Sequence, residues 1–227
     1  MTNLWNWTNI TFFKLVAVLQ LIGTFSIVAI DESVGLMGVA VTSGSIAVGT
    51  RVPWAEPGVG VVATQAYTNI MYGKEGLRLL EYGKTPREAL DELLSLDPKP
   101  EIRQVCIMNS RGVFAVHTGV NSPLHHGHLL GDTFCVLGNL LISKNVLKQT
   151  YLAYLENEGA SFPLRLLKAL KAGILAGGDR RGHNSAAIII VGTRVASGKG
   201  GFQINIRIDK SKKPVDELIE KIKAVGL

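Results

Sequence analysis

The sequence predicts an α+β fold, a four-layer αββα sandwich of two stacked antiparallel sheets with helices on their outer faces. Strand-like segments come in adjacent groups rather than singly between helices, which favours antiparallel pairing over parallel βαβ units. Pairs of helical segments separate these groups, and each sheet needs such a cover for its second apolar face. The 227 residues are 47% hydrophobic, which is enough for one well-cored domain. We therefore expect a single domain over residues 24–227.

The first strand group begins at Thr24. The segments "TFSIVAI" and "LMGVAVTS" carry the small and β-branched residues of buried strands, and they are predicted to form a hairpin. A third strand is predicted in "VGVVATQA", entered through a turn imposed by the two prolines of "PWAEPG". Two helices should follow, "YGKEGLRLLEYG" and "TPREALDELLSL". The second has Thr85 as N-cap, Pro86 at its first position and Glu88 three residues after the cap.

The second half of the chain repeats this order. "RQVCIMN" and "GVFAVHTG" predict a strand pair, and "DTFCVLGN" predicts another strand. "SKNVLKQTYLAYLEN" and "FPLRLLKALKAG" predict amphipathic helices, the latter stopped by its glycine. "NSAAIIIVGTRV" and "FQINIRID" return to strand, and "PVDELIEKIKAV" closes the chain as a capping helix.

Residues 1–23 form an apolar leader. "FFKLVAVLQLIG" has the length of a signal h-region, but Lys14 interrupts it and Leu21 before Gly23 is a poor small-x-small cleavage site. Polar residues dilute every window long enough to span a bilayer, so no stable membrane span is expected. Asn6 and Asn9 begin sequons that matter only in a glycosylating secretory route. A propeptide, a weak signal segment and a misassigned start all remain open.

Composition excludes several function classes. The net charge of +6 is scattered without interleaved aromatic residues, so no nucleic-acid partner is expected. The two cysteines, Cys106 and Cys135, sit in apolar strand-like runs and are predicted to be buried free thiols. Clustered histidines in "HHGH" (His125, His126 and His128) lack a neighbouring carboxylate or cysteine, so this stretch is predicted to be an exposed loop. We expect neither a metal nor a cofactor.

Thr24 is the candidate nucleophile. A threonine hydroxyl is weak until a base removes its proton. If Thr24 becomes an N-terminal residue, its own α-amine, whose ordinary pKa is about 7.7–8.0, is a base one residue from the hydroxyl. Gly23 has no side chain to obstruct attack by that hydroxyl on the preceding carbonyl. The competing interpretation is an ordinary threonine in a buried strand.

Four further polar residues stand at strand ends. Ser43 could hydrogen-bond the amine or relay a proton, with local backbone bonding as its alternative. Gln65, Asn69 and Asn139 carry amides that could donate to an oxyanion, although turn capping is a competing role, more for Asn69 than for Gln65.

The loop "GGDRRGHNS" is the richest in chemistry. Asp179 can orient an amine or pair with an arginine, and Arg180 and Arg181 can each hold a carboxylate bidentately. Ser185 opens the next strand. One alternative is a salt-bridged surface loop. Another is a phosphate-binding loop, although the lysine of a P-loop is missing here.

Several stretches, in order and spacing, resemble the domain-of-unknown-function family numbered 1028, placed among N-terminal-nucleophile hydrolase-like proteins. The most specific are "RVPWAEPGVGVVATQA" and "GGDRRGHNSAA", and the resemblance covers about residues 24–210. It implies the αββα fold and suggests Thr24 as the nucleophile position. Members usually begin Met-Thr-Phe-Ser, whereas Gly23 precedes Thr24 here. This chain also has Leu137 where glutamine is usual, and Lys210 where the family has an acidic residue.

Two functions follow from these observations. The first is an amide hydrolase with catalytic residues Thr24, Ser43, Gln65, Asn139 and Asp179 and substrate-binding residues Asn69, Arg180 and Ser185, acting on a small-molecule or peptide-like substrate. The second is a non-catalytic binding or assembly protein that keeps its leader. A cytoplasmic location is expected unless the leader is a signal segment, in which case the protein is membrane-associated or exported. The sequence leaves a homo-oligomer open.

Overall fold

The computed structural model describes residues 23–194 and 203–226, and the predicted leader, with Asn6 and Asn9, lies outside the described residues apart from Gly23. The described part of the chain forms ten strands and five α-helices. In chain order they are β1 (Thr24–Asp31), β2 (Leu36–Ser43), β3 (Pro53–Glu56), β4 (Gly60–Ala66), α1 (Met71–Glu81), α2 (Pro86–Leu96), β5 (Arg103–Asn109), β6 (Phe114–Thr118), β7 (Gly127–Leu130), β8 (Phe134–Asn139), α3 (Asn145–Glu156), α4 (Phe162–Leu175), β9 (Ser185–Gly192), β10 (Gln203–Ile208) and α5 (Pro214–Ala224).

Two antiparallel sheets stack face to face. The larger has the strand order β10-β9-β2-β1-β8-β7 and the smaller has the order β3-β4-β5-β6. Hairpin β1–β2 lies at the centre of the larger sheet, with Phe25 opposite Thr42, and β8 pairs with the other edge of β1 so that Thr24 lies opposite Asn139. The predicted hairpin and the antiparallel sheets are confirmed.

Three apolar clusters separate the layers. One joins the larger sheet to α3, α4 and α5, and includes Phe25 and Leu170. A second fills the space between the sheets with residues such as Val28 and Val39. The third joins the smaller sheet to α1 and α2. Strand alternation explains the division, because successive side chains of a strand point to opposite faces.

Several local predictions are confirmed. Thr85 caps α2 with the expected capping box, in which its hydroxyl accepts from the Glu88 N–H and the Glu88 carboxylate accepts from the Thr85 N–H. Cys106 and Cys135 are buried free thiols in the cluster between the sheets, and burial raises the pKa of the Cys135 thiol. The expectation that the leader does not span a membrane stays a prediction, because residues 1–22 lie outside the described residues. Among the described residues, no helix combines the length and apolarity needed to cross a bilayer.

Two expected loops are strands at sheet edges. The prolines of "PWAEPG" do not simply impose a turn, because Pro53–Glu56 forms β3, and proline is tolerated on an edge strand. The histidine-rich stretch is likewise not all loop, since His128 lies on β7 opposite Leu137. Both strands are only four residues long, which leaves little alternation to detect in the sequence.

Helix α4 passes through the glycine that was expected to stop it, and it ends at Leu175. A Cβ at Gly173 would overlap the Thr150 hydroxyl and lie 2.6 Å from Phe25 Cε2. Gly173 is therefore a close-packing position that lets α4 approach α3 and β1, rather than a helix terminator.

Replacing Gly173 with alanine is expected to destabilise the protein by about 1–3 kcal/mol, because the added methyl overpacks this contact and outweighs the better helix propensity of alanine. The midpoint of urea unfolding measures the effect. Gly159→Ala is the matched control, since a Cβ there meets no atom within 4 Å. Equal midpoints for the two variants would contradict the packing role.

Candidate functional site

A buried polar layer closes one end of the space between the sheets. On β1, Val28 and Ile30 belong to the inter-sheet core, so the two-residue period of a strand places Thr24 on the same face. The same alternation applies on the neighbouring strands, whose side chains facing the space between the sheets are apolar in the middle of the strand and polar at its end. The layer consists of Ser185, Ser43, Thr24 and Asn139 from the larger sheet and Gln65 and Gln104 from the smaller one, all of them 0% exposed.

The carbonyl group of Gly23 is the focus of this layer. Its oxygen accepts a hydrogen bond from Ser43 Oγ at 2.6 Å and another from Arg181 Nη2 at 2.7 Å. The Thr24 hydroxyl donates to the same oxygen, and Thr24 Oγ1 lies 3.4 Å from Ser43 Oγ. A hydroxyl, a second hydroxyl and a cation thus converge on the peptide bond that joins Gly23 to Thr24.

The cation is held by a buried carboxylate. The side chain of Asp179 has no exposed surface, and its two oxygens receive Nε and Nη2 of Arg181 at 3.1 and 2.8 Å. The Arg181 N–H and the Gly44 N–H donate to the same carboxylate. This bidentate pairing fixes the plane of the guanidinium, so the edge that reaches Gly23 is preorganised.

The loop that carries Asp179 is bonded to the segment after β8. Asp179 pairs with Leu141 in an isolated bridge, and the Ile142 N–H donates to Gly178 O at 2.9 Å. Gly178 has φ +55°, and a Cβ there would overlap the His183 ring. Glycine at this position is therefore required both by the backbone conformation and by the close approach of a side chain.

A network of amides lies beside Thr24 and is centred on Gln104. Its Oε1 accepts from Gln65 Nε2 at 2.8 Å and from Asn139 Nδ2 at 3.0 Å. Its Nε2 lies 3.0 Å from Thr118 Oγ1 and also bonds the carbonyl oxygens of Gly127 and Gly138. Ser26 donates to Gln65 Oε1. The network crosses from one sheet to the other and fixes the amide orientations next to the nucleophile candidate.

The structure brings most of the predicted site residues together. Thr24, Ser43, Gln65 and Asn139 lie in the polar layer, and Asp179 adjoins it through Arg181. Ser185 belongs to the layer as well, and its hydroxyl supports the turn after β2 by donating to Ser45 O at 2.6 Å and accepting from the Val48 N–H.

Two predicted substrate-binding residues lie elsewhere. Asn69 stands before α1, where its Oδ1 accepts from the Met71 N–H at 3.0 Å and its Nδ2 donates to Asp97 Oδ2. The side chain of Arg180 is exposed, while its backbone N–H donates to Leu140 O. Of the two adjacent arginines, Arg181 is the one that reaches the Gly23 carbonyl.

Gln104 is the residue that the sequence analysis missed. The signal was a polar residue directly before the apolar run "VCIM", two positions before Cys106 and therefore on the same strand face. Its partner Gln65 occupies the equivalent place on β4, and the two are directly opposite in the register of the sheet.

The histidines bond to separate partners. His126 Nδ1 lies 3.2 Å from Pro123 O, and His128 Nδ1 lies 2.9 Å from Thr118 Oγ1. Over residues 23–194 and 203–226, no group of three His, Cys, Asp or Glu side chains could hold a metal ion. His183 lies beside Asp179, and burial lowers its pKa despite the opposing effect of that carboxylate, so its imidazole is neutral near pH 7.

Replacing Arg181 with alanine is expected to destabilise the protein by about 2 kcal/mol or more, because the buried Asp179 carboxylate loses its counter-charge. Arg180→Ala removes the same side chain from the adjacent, exposed position and should change stability by less than about 0.5 kcal/mol. Chemical unfolding of both variants at pH 7 measures the difference, and equal losses would contradict the buried pairing.

Comparison with known proteins places this chain in a family. The family described as "Family of unknown function (DUF1028)" matches residues 24–218. The crystal structure of the DUF1028 protein SPO2555 from Silicibacter pomeroyi superposes with a TM-score of 0.80 at 28% sequence identity, covering 90% of this chain and 87% of that one. No curated protein matches the chain. Because the family match spans most of the 227 residues, the chain belongs to the DUF1028 family.

Proposed function

We propose that this DUF1028 protein is an amide hydrolase of the N-terminal-nucleophile type, in which cleavage after Gly23 exposes Thr24 as the catalytic residue. One observation carries the proposal: the Gly23 carbonyl oxygen is bonded by Ser43 Oγ and Arg181 Nη2 while the Thr24 hydroxyl lies against the same group. Donors arranged around a carbonyl oxygen stabilise the negative charge that develops there during nucleophilic attack. The uncleaved chain therefore already contains the elements of an acyl-transfer site.

Self-cleavage at this site proceeds through an ester. Thr24 Oγ1 attacks the Gly23 carbonyl carbon and forms a C–O bond, and the C–N bond to Thr24 breaks. The hydroxyl proton moves to the departing nitrogen, with Ser43 Oγ, 3.4 Å from Thr24 Oγ1, available to carry it. Water then hydrolyses the ester, which releases a leader ending in the Gly23 carboxylate and leaves Thr24 with a free α-amine.

Turnover of an external amide uses the same atoms. The Thr24 amine accepts the hydroxyl proton, Oγ1 attacks the substrate carbonyl, and the proton passes to the amine leaving group. Water activated by the same amine hydrolyses the acyl ester. The place vacated by Gly23 is bordered by Ser43, Arg181 and Asp179, so the substrate acyl group would lie among the groups that now surround Gly23.

The layer architecture supports this proposal. Two antiparallel sheets between helical layers, with the nucleophile candidate at the first residue of a central strand, agree with the fold that the resemblance to N-terminal-nucleophile hydrolases implies. Fold likeness by itself does not assign an activity, which depends on the site. The support for the proposal therefore comes mainly from the contacts of Gly23. The competing function is that of a non-catalytic binding protein that keeps its leader.

Full-length protein without an N-terminal tag is expected to begin at Thr24, whereas Thr24→Ala keeps its leader because it has no nucleophile. Thr24→Ser retains a hydroxyl and should still cleave. Intact-mass spectrometry and N-terminal sequencing of the three proteins measure this. A wild-type chain that keeps its leader favours the non-catalytic binding protein, and loss of the leader from Thr24→Ala indicates a host peptidase.

Removing one donor from the Gly23 oxygen should slow self-cleavage. Ser43→Ala is expected to reduce the rate by about 10²-fold, the usual effect of deleting an oxyanion donor. Ser185→Ala is the matched control, because Ser185 lies opposite Ser43 in the sheet register and is equally buried, but it bonds Ser45 and Val48. A time course of intact mass after synthesis compares them, and equal rates would remove Ser43 from the mechanism.

A further inference from the structure

The space around the Gly23 Cα atom has no room for a side chain. A Cβ of L configuration at this position would lie 2.7 Å from Leu140 Cβ, 2.9 Å from Asp179 Oδ2 and 3.0 Å from Asp179 Cγ. Ordinary van der Waals contact between such atoms needs about 3.5–4.0 Å. Leu140 and Asp179 supply the three nearest atoms outside the adjacent residues, so these two side chains restrict the position.

Leu140 forms the first wall and cannot yield easily. The close atom is its Cβ, which moves only with the backbone. That backbone has φ +52°, in the left-handed region, and its carbonyl oxygen accepts the Arg180 N–H at 3.0 Å. The following residue, Leu141, pairs with Asp179. Bonds from Leu140 and Leu141 to the glycine-rich loop therefore hold this wall in place.

Asp179 forms the second wall and is held still more firmly. Its Oδ2, the carboxylate atom nearest to the place that a Cβ would take, accepts from the Gly44 N–H and from Arg181 Nη2, both at 2.8 Å. Rotating the carboxylate away would break the bidentate pairing of a fully buried charge, which is costly. Neither wall can make room without loss of an interaction that organises the site.

We propose that the acyl position of this site is selective for acyl groups without an L side chain, so that the substrates are glycyl or acetyl-type amides. This inference rests on the proposed function. The ester formed in self-cleavage and the ester formed with a substrate both attach an acyl carbon to Thr24 Oγ1, with its carbonyl oxygen toward Ser43 and Arg181. The substituent on that carbon then occupies the place of the Gly23 Cα atom, between Leu140 and Asp179.

The first test uses self-cleavage of the full chain. Gly23→Ala is expected to slow release of the leader by about tenfold or more, the rate equivalent of overpacking a tight contact. Leu140→Gly removes the Cβ of one wall and suits φ +52°, so the double variant Gly23→Ala/Leu140→Gly should recover part of the lost rate, while the Asp179 wall still restricts the added methyl. Leu140→Gly alone is the matched control, because it measures what the Leu140 change does to the cleavage rate when residue 23 is still glycine.

The second test uses the processed protein and three amides of 7-amino-4-methylcoumarin, carrying glycyl, acetyl and L-alanyl groups. The kcat/KM for the glycyl and acetyl amides should exceed that for the L-alanyl amide by about tenfold or more. Leu140→Gly should make this difference in kcat/KM smaller, because it removes the Cβ of one wall. The readout is the kcat/KM for each amide.

The outcomes separate the two proposals. A wild-type chain that never releases its leader overturns the proposed function, and the acyl selectivity with it. A wild-type chain that cleaves while Gly23→Ala cleaves within twofold of its rate overturns the acyl selectivity alone. Hydrolysis of the L-alanyl amide as fast as the glycyl amide, or hydrolysis of none of the three by processed protein, overturns the substrate class.

Discussion

The buried carboxylate of Asp179 organises this end of the molecule. A carboxylate with no exposed surface is tolerated only when its charge is paired and its oxygens accept hydrogen bonds, and Arg181 and the Gly44 N–H meet both conditions. Satisfying Asp179 brings the glycine-rich loop against the end of β2 and the segment after β8. It also aims the Arg181 guanidinium at Gly23. The same interaction therefore stabilises the loop and polarises the peptide bond before Thr24.

The surrounding polar layer is a second consequence of burial. Hydroxyl and amide groups at strand ends would be costly between two apolar sheets unless they bonded one another. Gln104 meets this requirement by connecting Gln65 to Asn139, and Ser43 by bonding the Gly23 oxygen. Because these bonds join both sheets, the geometry around Thr24 is fixed by the packing of the sandwich rather than by a flexible surface loop. Such rigidity is what a preorganised acyl-transfer site needs.

Much of the architecture was predictable, and the exceptions have physical reasons. Long alternating or apolar runs and the Thr85 cap are local signals, so the central strands and α2 agree with expectation. The edge strands β3 and β7 are too short for alternation to show. Gly173 was misjudged because the demand for a small residue comes from Thr150 on α3 and Phe25 on β1, which contact it only after the elements have packed. Helix propensity is a local property, so it does not report a contact that forms only when α3, α4 and β1 pack together.

The candidate site likewise has some features that depend on local sequence and others that depend on tertiary packing. The sequence by itself determined that Thr24 begins a buried strand after a glycine, that polar residues end several neighbouring strands, and that a glycine-rich loop carries a carboxylate beside two arginines, because these depend on local pattern. Only the tertiary structure decided that Arg181 rather than Arg180 meets the Gly23 carbonyl, that Gln104 joins the layer, and that Asn69 bonds Asp97 instead of lying in the layer. Those outcomes depend on strand register and on the approach of the loop to β8, which bring together residues that are distant in the chain, Gly23 and Arg181 most of all.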